Sequence, residues 1–88
     1  MDAKRKRFAA NLSRARAASG ISQEELGART GLHRTEVSLL ERGGREPRLG
    51  TLTKLAAALD TNLEALCAGI QWSPERRDFK IDPPPKRR

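Results

Sequence analysis

Apolar residues recur along this chain at helical spacing, in short runs broken by glycines or capping residues. Phe8, Leu12, Ala15 and Ser19 form one stripe in an alanine-rich segment that stops near Gly20, which predicts a first helix from about Lys4 to Ser19. Ser22 then opens SQEE, where its side chain can accept from the backbone N–H of Glu25 and the Glu25 carboxylate can return the bond. That capping box starts a second helix, which runs to about Thr30 and breaks at Gly31. A third helix begins at Leu32 or His33 and ends at the Gly43-Gly44 pair. Its apolar side is Leu32, Val37 and Leu40, while Arg34, Thr35, Ser38, Leu39 and Arg42 turn the other way. One face sits on a core and the other awaits a partner.

The stretch GGREPR reads as a loop, because Pro47 biases Glu46 away from the helical region and the glycines permit tight turning. Leu52, Leu55, Ala56 and Leu59 return to helical spacing. After Asp60 and Thr61, Asn62 caps a last helix with Leu63, Leu66, Cys67 and Ile70 inward. Beyond Gly69 the period becomes two: Ile70 and Trp72, then Phe79 and Ile81, flank the turn-like SPERRD, the pattern of a small hairpin or strand pair. The closing DPPPKRR has the composition of a disordered tail. The expected fold is all-α, five short helices with a short C-terminal β segment. Its expected parts are a basic N-terminal arm (1–7), a helical domain (8–70) and a C-terminal extension (71–88) for dimerisation, ending in the basic tail.

With 88 residues, 36% of them hydrophobic, the chain can bury the modest core of one small domain, and a large cofactor cavity is not expected. The formal charge of +7 favours a polyanionic partner, nucleic acid before a membrane surface. Residues 1–7 and 71–88 each carry a net +3, which leaves +1 for residues 8–70. Any basic patch on the helical domain must therefore come from arrangement rather than composition. Cys67 is the single cysteine, so an intramolecular disulfide or a cysteine-rich metal site is excluded and a reducing compartment fits. No stretch approaches 18 apolar residues and the N-terminus lacks a signal-peptide apolar run, so a cytoplasmic location is expected.

Two helices joined by a tight glycine turn cross closely, which requires a small residue inside the first, a glycine at the turn and apolar residues bracketing both. Leu26, Gly27, Gly31, Leu32, Val37 and Leu40 stand in that relation. A mid-helix glycine costs about 1 kcal/mol against alanine, so a close helix contact explains Gly27 better than propensity does.

With these positions in place, SQEELGARTGLHRTEVSLLERG and LTKLAAALDTNLEAL resemble the lambda-repressor-like helix-turn-helix regulators of the Cro/CI (XRE) type, over about Phe8 to Gly69. The resemblance implies a compact five-helix DNA-binding domain whose third helix, about His33 to Arg42, enters the major groove of double-stranded DNA, as a homodimer on a palindromic operator. It implies base reading by Arg34 and Thr35, with Ser38 and Leu39 one turn on, and phosphate contacts from Gln23, Arg42, Arg45 and the backbone at Gly43 and Gly44. It also implies a largely buried ion pair between Arg16 and Glu41. Three residues depart from the family pattern: Gly27 is more often alanine, Asp60 takes the place of a helix-terminal glycine, and Leu39 replaces a commonly polar reading position. Asp60 is tolerable in a left-handed conformation. Leu39 either presses on a thymine methyl or packs on a neighbouring helix or subunit.

An enzyme reading has little to stand on. His33, the single histidine, is placed to cap the third helix or touch a phosphate, and with Glu36 one turn away it makes no metal site. No glycine-rich phosphate loop follows a strand, and Cys67 lies on an apolar stripe. No cofactor is expected. The competing reading is a protein-binding adaptor that bridges transcription components and touches nucleic acid nonspecifically through its basic tails. For the dimer, the last helix and the segment after it offer Leu66, Ile70, Trp72, Phe79 and Ile81. The alternative is that Trp72 and Phe79 fold back on their own domain.

Overall fold

Asp2 starts the chain's first helix. In the computed structural model, which describes residues 2–84, its carboxylate accepts from the N–H groups of Lys4 and Arg5 at 2.8 and 3.3 Å. Helix α1 (Ala3–Ser19) follows without a break. The basic arm expected at residues 1–7 is therefore corrected: residues 3–7 are the first turns of α1, because Asp2 caps them. Arg7 is buried, and its Nε donates to the Ala68 carbonyl at 2.8 Å. The basic tail after Pro84 lies outside the described residues.

Helix α2 (Gln23–Thr30) begins at Ser22, whose hydroxyl accepts from Glu25 N–H at 3.0 Å. Only that half of the capping box forms, since the Glu25 carboxylate turns to Arg29 at 2.9 Å. Thr30 is buried and satisfied: its hydroxyl donates to the Leu26 carbonyl and accepts from Leu32 N–H in the turn. Gly31, in the left-handed region at φ 78°, turns the chain into α3 (Arg34–Glu41). Helix α4 (Leu49–Ala58) ends before Asp60, which holds φ 53° where a glycine is more usual. Asn62 caps the one-turn α5 (Leu63–Leu66), accepting from Ala65 N–H at 2.8 Å.

Leu12, Leu26, Val37, Leu40, Leu55 and Leu66 are the fully buried centre, with Phe8, Ala56 and Leu59 around them. Helix α2 packs on α3 and α4, and α1 lies across α3 and α5. Arg7 and Asn11 on α1 hold the end of α5, where Asn11 Nδ2 donates to the Leu66 and Ala68 carbonyls at 2.9 Å. The last helix is shorter than its apolar stripe suggests. Cys67 caps it, and Gly69 at φ 84° then turns the chain toward the hairpin, where a side chain would collide with the Arg7 guanidinium. Ile70 thus belongs to β1 (Ile70–Ser73), which pairs antiparallel with β2 (Asp78–Ile81) in the register Ile70 to Ile81 and Trp72 to Phe79. The period-two pattern is one hairpin within the chain.

Gly27 sits where α2 and the turn meet most closely. A Cβ there would stand 2.8 Å from the Leu32 carbonyl oxygen and 3.5 Å from Arg34 N, both backbone atoms that cannot swing away. Helix propensity alone favours Gly27→Ala by about 1 kcal/mol, which for a domain of this size corresponds to a rise of about 4–8 °C in Tm. The backbone contact outweighs it, so Gly27→Ala lowers the Tm in thermal denaturation. A rise of the propensity size would show that the helix crossing is loose.

Candidate nucleic-acid interface

The geometry of the α2–turn–α3 unit is set at its base by Glu41. Its side chain is only 6% exposed, and Arg16 of α1 meets it with Nε 2.6 Å from Oε2 and Nη2 3.0 Å from Oε1. Ser13 Oγ of α1 and Gln23 Nε2 of α2 also donate to Oε1, at 3.1 and 3.2 Å. Arg16 Nη1 goes on to the Ile21 carbonyl at 2.9 Å, ahead of α2. Burial pushes the Glu41 carboxyl up, but the bonds from Arg16, Gln23 and Ser13, with the Arg16 charge, hold it below the usual carboxylate value. The same hydrogen bond raises Arg16 further. Arg16 and Glu41 are brought together, and Gln23 joins them. One N–H of its amide serves Glu41, and the other has no partner among the described residues. Sequence reasoning missed Ser13, although it lies one turn before Arg16 on the same side of α1.

His33 caps α3: its Nδ1 accepts from Thr35 N–H at 3.3 Å and lies 2.9 Å from Thr35 Oγ1. Arg34 and Thr35, the first two residues of the helix, are exposed, and the Arg34 side chain makes no hydrogen bond or ion pair among the described residues. Ser38 and Leu39 follow, half-buried. Leu39 lies against Gly44, where an added side chain would overlap its Cδ1. Arg42 is exposed, with Nε turned back to the Ser38 carbonyl at 3.3 Å.

Gly43 and Gly44, whose backbone was expected near a phosphate, have their N–H groups engaged within the chain. Gly43 N–H bonds the Leu40 carbonyl at 3.2 Å and Gly44 N–H bonds that of Leu39 at 3.0 Å, with Gly43 at φ 75°. These are the two bonds of a Schellman closure, so both donors serve to end α3. Arg45, expected at a phosphate, reaches back to Glu36, its Nη1 lying 2.9 and 3.1 Å from the two carboxylate oxygens. No periodicity links residues nine apart across a loop, so the sequence gives no signal for that pair.

Among the interface candidates, Leu66 is corrected: at 1% exposure it is core and reaches no partner without unfolding. Ile70 packs against the core, Ile81 is half-buried, and Trp72 and Phe79 are 55% and 36% exposed. The two rings meet edge to face at 5.1 Å, and Lys4 Nζ stands 4.7 Å over Phe79. Leu49, at the start of α4, is exposed and was not singled out from the sequence. Burial raises the Cys67 thiol, which disfavours the thiolate form. Among the described residues no helix is long and apolar enough to cross a membrane, and no group of three or more His, Cys, Asp or Glu could hold a metal ion.

The helix-turn-helix family profile HTH_3 matches residues 12–66. The uncharacterized HTH-type transcriptional regulator y4dL of Sinorhizobium fredii is 44% identical over 77% of this chain, which spans only 34% of that relative. Control protein C.SmaI of Serratia marcescens is 41% identical over 67% of this chain and 70% of its own length. The crystal structure of the restriction-modification controller protein C.AhdI from Aeromonas hydrophila superposes with a TM-score of 0.72 at 40% identity, covering 74% of this chain and 98% of that one.

Removing one partner of a buried, hydrogen-bonded ion pair costs about 3–5 kcal/mol, so Glu41→Ala lowers the Tm by at least about 12 °C or abolishes the cooperative transition. An unchanged Tm would show that the pair carries no stability. The same carboxylate makes stability pH-dependent. Its folded value lies below the unfolded value of about 4.3, so its contribution is complete above that pH and is lost as pH falls through the folded value. Urea denaturation followed downward from about pH 6 therefore shows a loss of stability on acidification that is shallower in Glu41→Gln. Equal slopes would contradict the depressed carboxyl.

Proposed function

The chain belongs to the helix-turn-helix family of transcriptional regulators, and from that premise we propose that it acts in the cytoplasm as a sequence-specific repressor. In this reading it binds double-stranded DNA as a homodimer on a palindromic operator. The observation that carries the reading is Arg34: an exposed guanidinium with no partner among the described residues, on the first turn of a helix that α1 and α2 hold through Glu41. Such a group can give two bonds to guanine O6 and N7 in the major groove. Thr35 and Ser38 lie beside it for further base contacts, and Leu39 presents its outer side to a thymine methyl while its inner side rests on Gly44. Gln23, at the N-terminus of α2 and with one amide N–H unpartnered among the described residues, serves a phosphate, as does Arg42; His33, as the cap, steadies Thr35 at the groove. Repression needs nothing beyond occupancy of the operator, which a small domain can supply.

A single recognition helix spans about four or five base pairs, too few to mark one site in a genome, so two half-sites about one helical turn apart are required. The patch of Trp72 and Phe79, with Ile81 at its edge, is the apolar surface we assign to the two-fold contact. An adaptor that bridges proteins would use the same patch but would leave Arg34 idle.

Arg34→Ala lowers affinity for the preferred operator by about 1–3 kcal/mol while binding to random duplex changes little. Arg42→Ala weakens both alike and lowers the salt slope by about one. Fluorescence anisotropy on the two duplexes reads both effects, and equal losses for Arg34→Ala would remove its reading role. Trp72→Glu, at an exposed position, leaves the fold intact and shifts the protein to monomer in sedimentation at micromolar concentration. A variant that dimerises as well as the parent would place the interface elsewhere.

A further inference from the structure

Helix α3 carries two acids, and they are treated differently. Glu41 is sealed into the network at its base, whereas Glu36 stays near the surface beside Arg34 and Thr35, with 28% of its side chain exposed. A carboxylate on a helix that enters a DNA groove faces the repulsion of the phosphate backbone. Arg45 meets it from the loop after α3, one nitrogen lying 2.9 and 3.1 Å from the two oxygens. Glu46, which lies 3.7 Å from Lys4 Nζ, borders the same hollow between α3 and the start of α4, with Pro47, Arg48 and Thr51.

Stability is a poor reason for this contact. The Arg45 side chain is 54% exposed, and surface pairs of this kind contribute about 0–1 kcal/mol. Instead of standing free as a phosphate ligand, Arg45 is engaged with Glu36, the more exposed of the two acids on the reading helix. We propose that Arg45 is a charge screen for the reading helix: it neutralises Glu36, so that the pair, rather than Arg45 alone, sets how strongly this protein binds DNA of any sequence. The proposal rests on α3 being the DNA-reading helix. It changes the role of Arg45 from phosphate contact to positioning residue, and it makes Glu36 a brake on nonspecific binding whose strength the loop controls.

The consequence is a rescue. Arg45→Ala uncovers the carboxylate and weakens binding about tenfold on preferred and random duplex alike. Glu36→Gln releases Arg45 toward the backbone, tightening binding on both duplexes and raising the salt slope by about one. With both changes nothing is left to screen, and the double variant binds within about twofold of the parent, with the parent's salt slope. Anisotropy titrations of the four proteins on both duplexes test this, with thermal melts confirming that each is folded. A double variant as weak as Arg45→Ala alone would overturn the screen and return Arg45 to a phosphate. A loss in Glu36→Gln confined to the preferred duplex would overturn it in favour of a base contact by Glu36. Because the rescue is read on random duplex as well, a parent that does not discriminate between the duplexes sinks sequence reading and leaves the screen its own answer. Absence of binding to either duplex overturns both.

Discussion

The Glu41 carboxylate belongs to the last turn of α3 and accepts from Ser13 and Arg16 of α1 and from Gln23 of α2. A charge taken this far out of water is tolerable only with its partners in place, so the three helices have one relative arrangement that satisfies it. Apolar packing of Leu12, Leu26, Val37 and Leu40 would hold the helices together in several ways; the carboxylate selects one. Gln23 is the point where this choice reaches the outer surface, since the amide tied to Glu41 is also the polar group at the start of α2.

A second constraint sets how far α3 stands out. With Gly27 the turn can lie directly on α2, and the first residues of α3 then project beyond it instead of being buried by it. His33 caps the N-terminal end through Thr35 N–H, and the Gly43-Gly44 closure takes up the Leu40 and Leu39 carbonyls at the C-terminal end. Among the described residues the Arg34 side chain on that face has no partner. At the opposite end of α1, Arg7 and Asn11 fix the end of α5, and Lys4 leans on Phe79. The hairpin is therefore oriented by the same helix that anchors Glu41, which is how a dimer contact there would keep two reading helices at a set spacing.

Much of this was legible in the sequence because it follows local rules. The stops at Gly20 and Gly31, the caps at Ser22 and Asn62, the apolar stripes and the period-two hairpin are each written within a few residues. The family likeness added the Arg16 and Glu41 pair, which spacing alone could not supply. What stayed hidden depends on contacts across the chain. Arg7 read as part of a solvated arm because nothing nearby announces the Ala68 carbonyl that buries it. Leu66 read as surplus apolar surface because a stripe does not say which of its members the domain itself covers. The pairing of Arg45 with Glu36 was not legible because it spans the loop, nor were the Schellman bonds of Gly43 and Gly44, which depend on Gly43 taking a positive φ.

The central claim is that the exposed face of α3 reads DNA sequence, and selection of the intact protein against a random duplex library tests it most directly. The account predicts enrichment of an inverted repeat whose half-sites lie about one helical turn apart, each with a guanine at a fixed position that loses its preference in Arg34→Ala. A bound pool with no enriched sequence, or an enriched site whose base preferences survive Arg34→Ala unchanged, would contradict it.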